Sequence, residues 1–191
     1  MLETLEKLFN SKARVRLLRF FLNHPKEKFL LPEISSRVKI NSKGIRKEVN
    51  NLVKSGFLKI KQANKKKYYF SNPKFILYDE LKELVFKGNP ASSKEIAKKI
   101  KNVGQIKLAL ISGSLINSEK GRVDIFIVGE NLNKVKLKRF LEDIESEIGK
   151  GISYAAMNAD EFNYRRNMFD KFVLDILEGP REILIDRMKI S

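Results

Sequence analysis

The period of the apolar residues changes abruptly at Gly56, and that change constrains the fold more than any other stretch. Upstream, Ile45, Val49, Leu52 and Val53 recur at three- and four-residue steps, which places them on one stripe of a helix. Ser55-Gly56 ends that helix, with glycine supplying a left-handed stop. Downstream, Phe57-Leu58-Lys59-Ile60 alternates as a strand and Gln62-Ala63-Asn64-Lys65-Lys66 turns. Lys67-Tyr68-Tyr69-Phe70 then returns as a second strand.

The residues before this stretch read as helices. Leu2, Leu5, Leu8 and Phe9 mark one over 2–9, and Val15, Leu18, Phe21 and Leu22 mark another over 12–22. Ser11 is a candidate N-cap for the second, and Asn23-His24-Pro25 stops it, with His24 expected in solvent at the helix end. Pro32 suits the first turn of a short helix through Ile34 and Val38. Asn41 or Ser42 then caps the helix that carries the stripe. Two short helices joined by Lys39-Ile40-Asn41, the second longer and more basic, match a helix-turn-helix.

With the stripe facing a core, the opposite helix face carries Ser42, Lys43, Arg46, Lys47 and Asn50, with Lys54 one turn further. Arg and Asn can pair bidentately with guanine and adenine edges in a major groove, while lysines neutralise phosphates. Lys61, Lys65, Lys66 and Lys67 cluster around the hairpin tip, where they would meet phosphates or an adjacent minor groove.

The charge distribution agrees. The 191 residues carry a formal net charge of +16, of which residues 1–91 hold +13 and residues 92–191 only +3. Residues 37–67 contain eleven basic side chains and one acid, Glu48. Such asymmetry points to two modules, one of which meets a polyanion.

Composition narrows the rest. There is no cysteine, which excludes disulfides, thiolate nucleophiles and cysteine-ligated zinc. A single histidine argues against multi-histidine metal centres and a Ser-His-Asp triad. No apolar run approaches the roughly 20 residues that span a bilayer, and the N-terminus does not read as a signal peptide. A soluble, cytoplasmic protein with no membrane partner is expected.

Past Pro73, the residues Phe75, Ile76, Leu77, Leu81, Leu84 and Val85 mark a further amphipathic helix, which breaks at Lys87-Gly88-Asn89-Pro90. Ser92 and Glu95 form a candidate capping box for a helix with Ile96, Ile100 and Val103 on its buried face. Strands follow at 106–112 and 123–129, a helix at 134–148, and a strand at 152–157. Helices at about 159–167 and 169–178 and a last strand at 183–185 complete the chain. Alternating strands and helices make this half a small α/β domain.

Taken together, "LFNSKARVRLLRFFLNHP" and "LPEISSRVKINSKGIRKEVNNLVKSGFLKIKQANKKKYYFSN" resemble the winged helix-turn-helix of small prokaryotic transcriptional regulators. The second half resembles the nucleotidyltransferase fold shared by DNA polymerase beta and small antitoxin-type nucleotidyltransferases. The matching segments are "LALISGS" at 108–114 and "VDIFIVG" at 123–129, with "YAAMNADEFNYRRN" and "FDKFVLDILEG" further on. That resemblance implies a Gly-Ser loop holding nucleotide phosphates. It also implies two acids one residue apart on the second strand, and a third nearby, holding two Mg²⁺ ions.

The sequence departs from that pattern. Arg122 stands where the first acid would be, only Asp124 remains, and Ile152–Met157 offers no third acid. Leu115-Ile116-Asn117 follows the Gly-Ser pair in place of the usual small residues and arginine. One carboxylate beside an arginine cannot assemble a two-Mg²⁺ site. Asp124 is expected to pair with Arg122 or a loop amide, and Gly113, Ser114 and Asp124 are candidate vestigial nucleotide-binding residues.

The reading is an α+β protein: a winged helix-turn-helix over residues 1–72, a linker helix over 73–90, and a nucleotidyltransferase-like α/β domain over 91–191. The expected function is sequence-specific binding of double-stranded DNA in transcription regulation, with no catalysis, no metal and no cofactor. A homodimer is a candidate assembly, and the C-terminal domain is a candidate site for a protein partner or small-molecule effector. The alternative is an active Mg²⁺-dependent nucleotidyltransferase, or an antitoxin-type partner-binding protein, targeted by the winged helix.

Overall fold

The computed structural model describes residues 2–86, 93–118 and 120–190, without the side chains of Leu2, Glu3 and Ser42. The fold is α+β and separates into two compact units, residues 1–87 with 145–150, and residues 88–144 with 151–191. The expected break at Lys87–Pro90 and the Ser92 cap lie outside the described residues.

The first unit runs α1 (Leu2–Leu8), α2 (Lys12–Asn23), β1 (Phe29–Leu30), α3 (Leu31–Val38), α4 (Ser42–Lys54), β2 (Leu58–Ala63), β3 (Lys66–Ser71) and α5 (Tyr78–Phe86). Its strands form an antiparallel sheet in the order β1-β3-β2. Local chemistry sets the helix ends. The Ser11 hydroxyl accepts from the Arg14 amide at 3.1 Å. Of the two candidate caps for α4 it is Asn41 that serves, its side chain accepting from the Gly44 amide at 2.8 Å. Leu30 has no capping oxygen, and instead the Glu33 carboxylate reaches back to accept from the Leu30 amide at 2.7 Å. Lys39 (φ +50°) and Gly56 (φ +85°) enter the left-handed region as α3 and α4 end.

The core of this unit joins Phe20, Phe21, Phe29, Ile34, Ile45, Val49, Phe57, Leu58, Tyr69 and Val85, so every element except α1 contributes to it. Three sequence expectations change here. The two-residue strand β1 is too short to carry a periodic signal. It brings Phe29 against His24, whose ring is half-buried and packs on Phe20 and Phe29 at centroid distances of 4.8 and 5.5 Å. His24 therefore caps α2 inside an aromatic cluster rather than in solvent. The hairpin turn is also tighter than expected: Asn64 (φ +49°) and Lys65 (φ +59°) alone make it, in the type I′ geometry that matches strand twist. Finally, α5 starts at Tyr78, because single turns closed by Phe75 N–H to Asn72 O and Tyr78 N–H to Phe75 O occupy the preceding residues.

Residues 145–150 complete this unit. The Asn23 side-chain amide donates to Ile148 O at 3.0 Å. Gly149 (φ +86°) lies so close to α2 that a Cβ would fall 2.6 Å from Arg19 C and Phe20 N.

The second unit contains α6 (Ser93–Ile100), β4 (Gln105–Ser112), a 3-10 turn (Gly113–Ile116), β5 (Ile125–Glu130) and α7 (Lys134–Ile148), whose last residues count with the first unit. It continues with β6 (Tyr154–Met157), α8 (Ala159–Asn167), α9 (Lys171–Glu178) and β7 (Arg181–Asp186). The sheet order is β6-β5-β4-β7, with β5 and β6 parallel and the other pairs antiparallel. Alternation along the central strands sends Leu108, Leu110, Phe126 and Val128 to one face, where Phe162 of α8 and Val173 and Ile176 of α9 meet them. Both faces of β4 and β5 are buried, as Ala109, Ile111, Ile125 and Ile127 are also inaccessible.

The turn between α8 and α9 departs from the usual rule for helix ends. Asp170 N–H bonds to Arg165 O at 2.9 Å and Phe169 N–H to Arg166 O at 3.1 Å, a left-handed closure in which position C′ is normally glycine. Here it is Phe169, at φ +53° and 79% exposed, a conformation that costs a bulky residue about 1–2 kcal/mol. Asp170 then caps α9, accepting from the Val173 amide at 3.0 Å.

Gly149→Ala should destabilise the protein by about 2 kcal/mol or more, since backbone on α2 cannot yield cheaply and the residue is already left-handed. Gly56→Ala is left-handed too, but its Cβ meets only Phe75 at 3.9 Å and should cost about 1 kcal/mol. Chemical denaturation of both variants tests the ranking.

Candidate nucleic-acid interface

Helix α4 presents Lys43, Arg46, Lys47 and Asn50 to solvent, and these four line one shallow concavity. Lys54 is exposed one turn further along. Ser42 opens the helix, but its side chain lies outside the described residues. Arg46 also borders a second groove, lined on the α3 side by Leu31, Pro32, Ser35 and Ser36.

Glu48, the one acid of the basic segment, is not on this face. It is 9% exposed and turned inward, accepting from the Ser11 hydroxyl at 2.9 Å through Oε1 and from Arg14 Nε at 2.9 Å through Oε2. Its charge is neutralised within the unit, so the outward face of α4 is free of carboxylates. The sequence did contain the signal: Ile45, Glu48 and Leu52 follow the same three- and four-residue spacing as the buried stripe.

The hairpin lysines divide by face. In the register Lys59↔Phe70, Lys61↔Tyr68 and Ala63↔Lys66, paired residues share one side, whereas Leu58, Tyr69 and Lys67 lie on the other. Leu58 and Tyr69 are buried in the core, which makes the first set the outer face. Lys61 and Lys66 therefore lie on the outer face, Lys65 sits in the turn, and Lys67 is exposed beyond the core on the inner side. The sequence reading missed Lys59, two residues from Lys61 on the same outer face. It also missed Lys28, whose ammonium lies 5.8 Å from the centre of the Phe70 ring. With half-buried Tyr68 and Phe70, these lysines make a cationic, aromatic sheet face.

In the second unit, Gly113, Ser114 and Asp124 do come together, but around a carboxylate that is already satisfied. Asp124 Oδ1 accepts from the Ser114 amide at 2.7 Å and from the Ser114 hydroxyl at 2.6 Å. Oδ2 accepts from the Ser153 amide and hydroxyl, each at 2.8 Å. Of the two expected partners, the loop amide is the one found. Arg122 instead forms a two-point pair with Asp175 of α9, with Nε and Nη2 at 2.8 and 2.5 Å from the same oxygen. The loop is packed tightly: a Cβ on Gly113 (φ +56°) would fall 2.7 Å from Asp124 Oδ1, and one on Gly121 2.8 Å from Gly113. Ser112 Oγ donates to Val123 O, so residues 123 and 124 are tied to the loop and β5 begins only at Ile125.

Partial burial pushes the Asp124 carboxyl up, but the hydrogen bonds from Ser114 and Ser153 outweigh it and hold the group below the usual carboxylate range. No group of three or more His, Asp or Glu side chains placed to hold a metal ion occurs among the described residues. Comparison with family models, with curated proteins and with solved structures returns no match.

A carboxyl whose pKa is depressed on folding stabilises the fold above its unfolded value, near 3.9, and loses that contribution as pH falls through the folded value. Asp124→Asn should lower stability at neutral pH by about 2 kcal/mol, because an amide cannot accept from all four donors. It should also flatten the loss of stability below about pH 4. Urea unfolding of both proteins from pH 7 to pH 3 measures both effects.

Proposed function

We propose that the protein is a sequence-specific, double-stranded-DNA-binding transcriptional regulator. In this reading the first unit is a winged helix-turn-helix and the second a non-catalytic domain of nucleotidyltransferase-like architecture, used for sensing or assembly. The observation that carries the proposal is the carboxylate-free face of α4 beside a lysine-rich hairpin.

The order α2, α3, α4 and then the β2–β3 hairpin suits a recognition helix followed by a wing. Thirteen residues give α4 a length of roughly 20 Å, enough to lie along a major groove. Arg46 and Asn50 are the base-reading candidates, and Lys43, Lys47 and Lys54 would face phosphates. The turn at Asn64-Lys65 would carry Lys61, Lys65, Lys66 and Lys67 to the flanking backbone, with Lys28 and Lys59 added on the outer sheet face. One such unit reads a short half-site, so a homodimer on a pseudo-palindrome would supply affinity and specificity.

The chemistry of the second unit favours a non-catalytic role. The amide and hydroxyl of Ser114, which a nucleotide phosphate would need, both point at the chain's own Asp124. That carboxylate has four donors around it and Arg122 two residues away, an arrangement unsuited to two Mg²⁺ ions.

Fluorescence anisotropy on duplexes recovered from a random pool tests the reading. Affinity should fall steeply as salt rises, as it does when several phosphates are neutralised. Arg46→Ala should erode preference for the selected sequence by about 1–3 kcal/mol, whereas Lys66→Ala should weaken all duplexes alike and reduce the salt slope by about one. Binding that ignores salt would overturn the proposal. Label transfer from a radiolabelled nucleotide with Mg²⁺, lost in Asp124→Ala, would overturn the non-catalytic reading of the second unit.

A further inference from the structure

Two surfaces outside the basic face leave large apolar side chains in water, and their charges are opposite. The first is on α5 and the turn before it. Ile76, Leu77 and Leu84 are 86%, 51% and 40% exposed. Leu77, Glu80 and Leu84 follow one another at three- and four-residue steps along the helix, with Glu83 and Asp79 beside them. The acids Asp79, Glu80 and Glu83 are exposed and form no ion pair among the described residues, within a unit that is otherwise strongly basic. The second surface is the α8–α9 turn, where Tyr164, Met168 and Phe169 are 68%, 64% and 79% exposed. Around them Arg165 is paired with Glu161 at 2.7 Å, while Arg166 and Lys171 are exposed and form no ion pair among the described residues.

Phe169 strengthens the case for the second surface. Glycine would relieve its left-handed backbone, and an exposed ring there contributes nothing to the core, so the strain is kept at a surface position. On α5 the exposed Lys82 is the one cation among Asp79, Glu80 and Glu83, so two copies of this surface brought together would gather six acids and two lysines. The acidic surface suits an apolar surface with a cationic rim, and the α8–α9 turn has that chemistry.

We propose that the protein self-associates, the α8–α9 turn of one copy docking through Phe169, Met168 and Tyr164 on the Ile76–Leu77–Leu84 surface of another. Arg166 and Lys171 then face Glu80 and Glu83 of the second copy. Every subunit carries both halves, and the smallest closed assembly that uses both is a reciprocal dimer. This deepens the dimer suggested above by naming its surfaces, and because it can be measured without DNA, its failure leaves the DNA-binding reading standing.

The test is molar mass by light scattering and sedimentation on the full chain at low ionic strength, where exposed charge pairs are least screened. The wild type should have twice the mass of one chain. Glu80→Lys with Glu83→Lys should raise the dissociation constant about tenfold or more, and Arg166→Glu with Lys171→Glu should do the same. Mixing these two variants restores opposite charge at both contacts and should recover the dimer. Phe169→Gly should also weaken association without lowering the melting temperature measured at dilutions where both proteins are monomeric, which separates lost docking from lost folding. A monomeric wild type would overturn the proposal, as would an Arg166→Glu/Lys171→Glu variant that dimerises like the wild type or a mixture that stays monomeric.

Discussion

The inward turn of Glu48 is the constraint on which the character of the first unit rests. A helix with Lys43, Arg46, Lys47 and Lys54 on one side would ordinarily balance that charge with exposed acids at three- or four-residue spacing. Here the one available acid is held by Ser11 and Arg14, at the junction of α1 and α2. The pair ties the start of α2 to the middle of α4, and its partial burial requires both partners. The same contact that fixes one helix against another therefore leaves the outer face with an unbalanced positive field.

The second unit treats a carboxylate in the same way, with a different result. Asp124 gathers the amides and hydroxyls of Ser114 and Ser153, joining the loop after β4, the start of β5 and the approach to β6. Where a phosphate-binding loop presents free donors, this loop has turned them onto an internal anion. Arg122 braces α9 through Asp175. The cluster is well suited to holding the sheet's end together.

Much of this was legible in the sequence because apolar period dominates it. The stripe at Ile45, Val49 and Leu52, the stop at Gly56 and the alternating strands of the second unit all correspond to observed elements. The described α4 and hairpin side chains expected at the basic surface are exposed, since charged residues at those spacings have nowhere to be buried. What escaped depends on contacts distant in sequence. Strand β1 exists because Phe29 and Leu30 pair with Tyr69 and Tyr68, forty residues away in sequence. The burial of His24 follows from that pairing. Whether Asp124 met Arg122 or Ser114 was undecidable until Asp175, on a helix fifty residues on, was seen to take the arginine.

The Asn64-Lys65 turn has a further consequence for kinetics and entropy. A two-residue type I′ closure leaves the hairpin backbone little freedom to lose, so any contact made by Lys65 and Lys66 would have side chains alone to immobilise. A longer, looser loop with the same lysines would offer equal charge but would have to freeze its main chain on contact. The tip is preorganised, and inserted glycines would loosen it with no change in net charge.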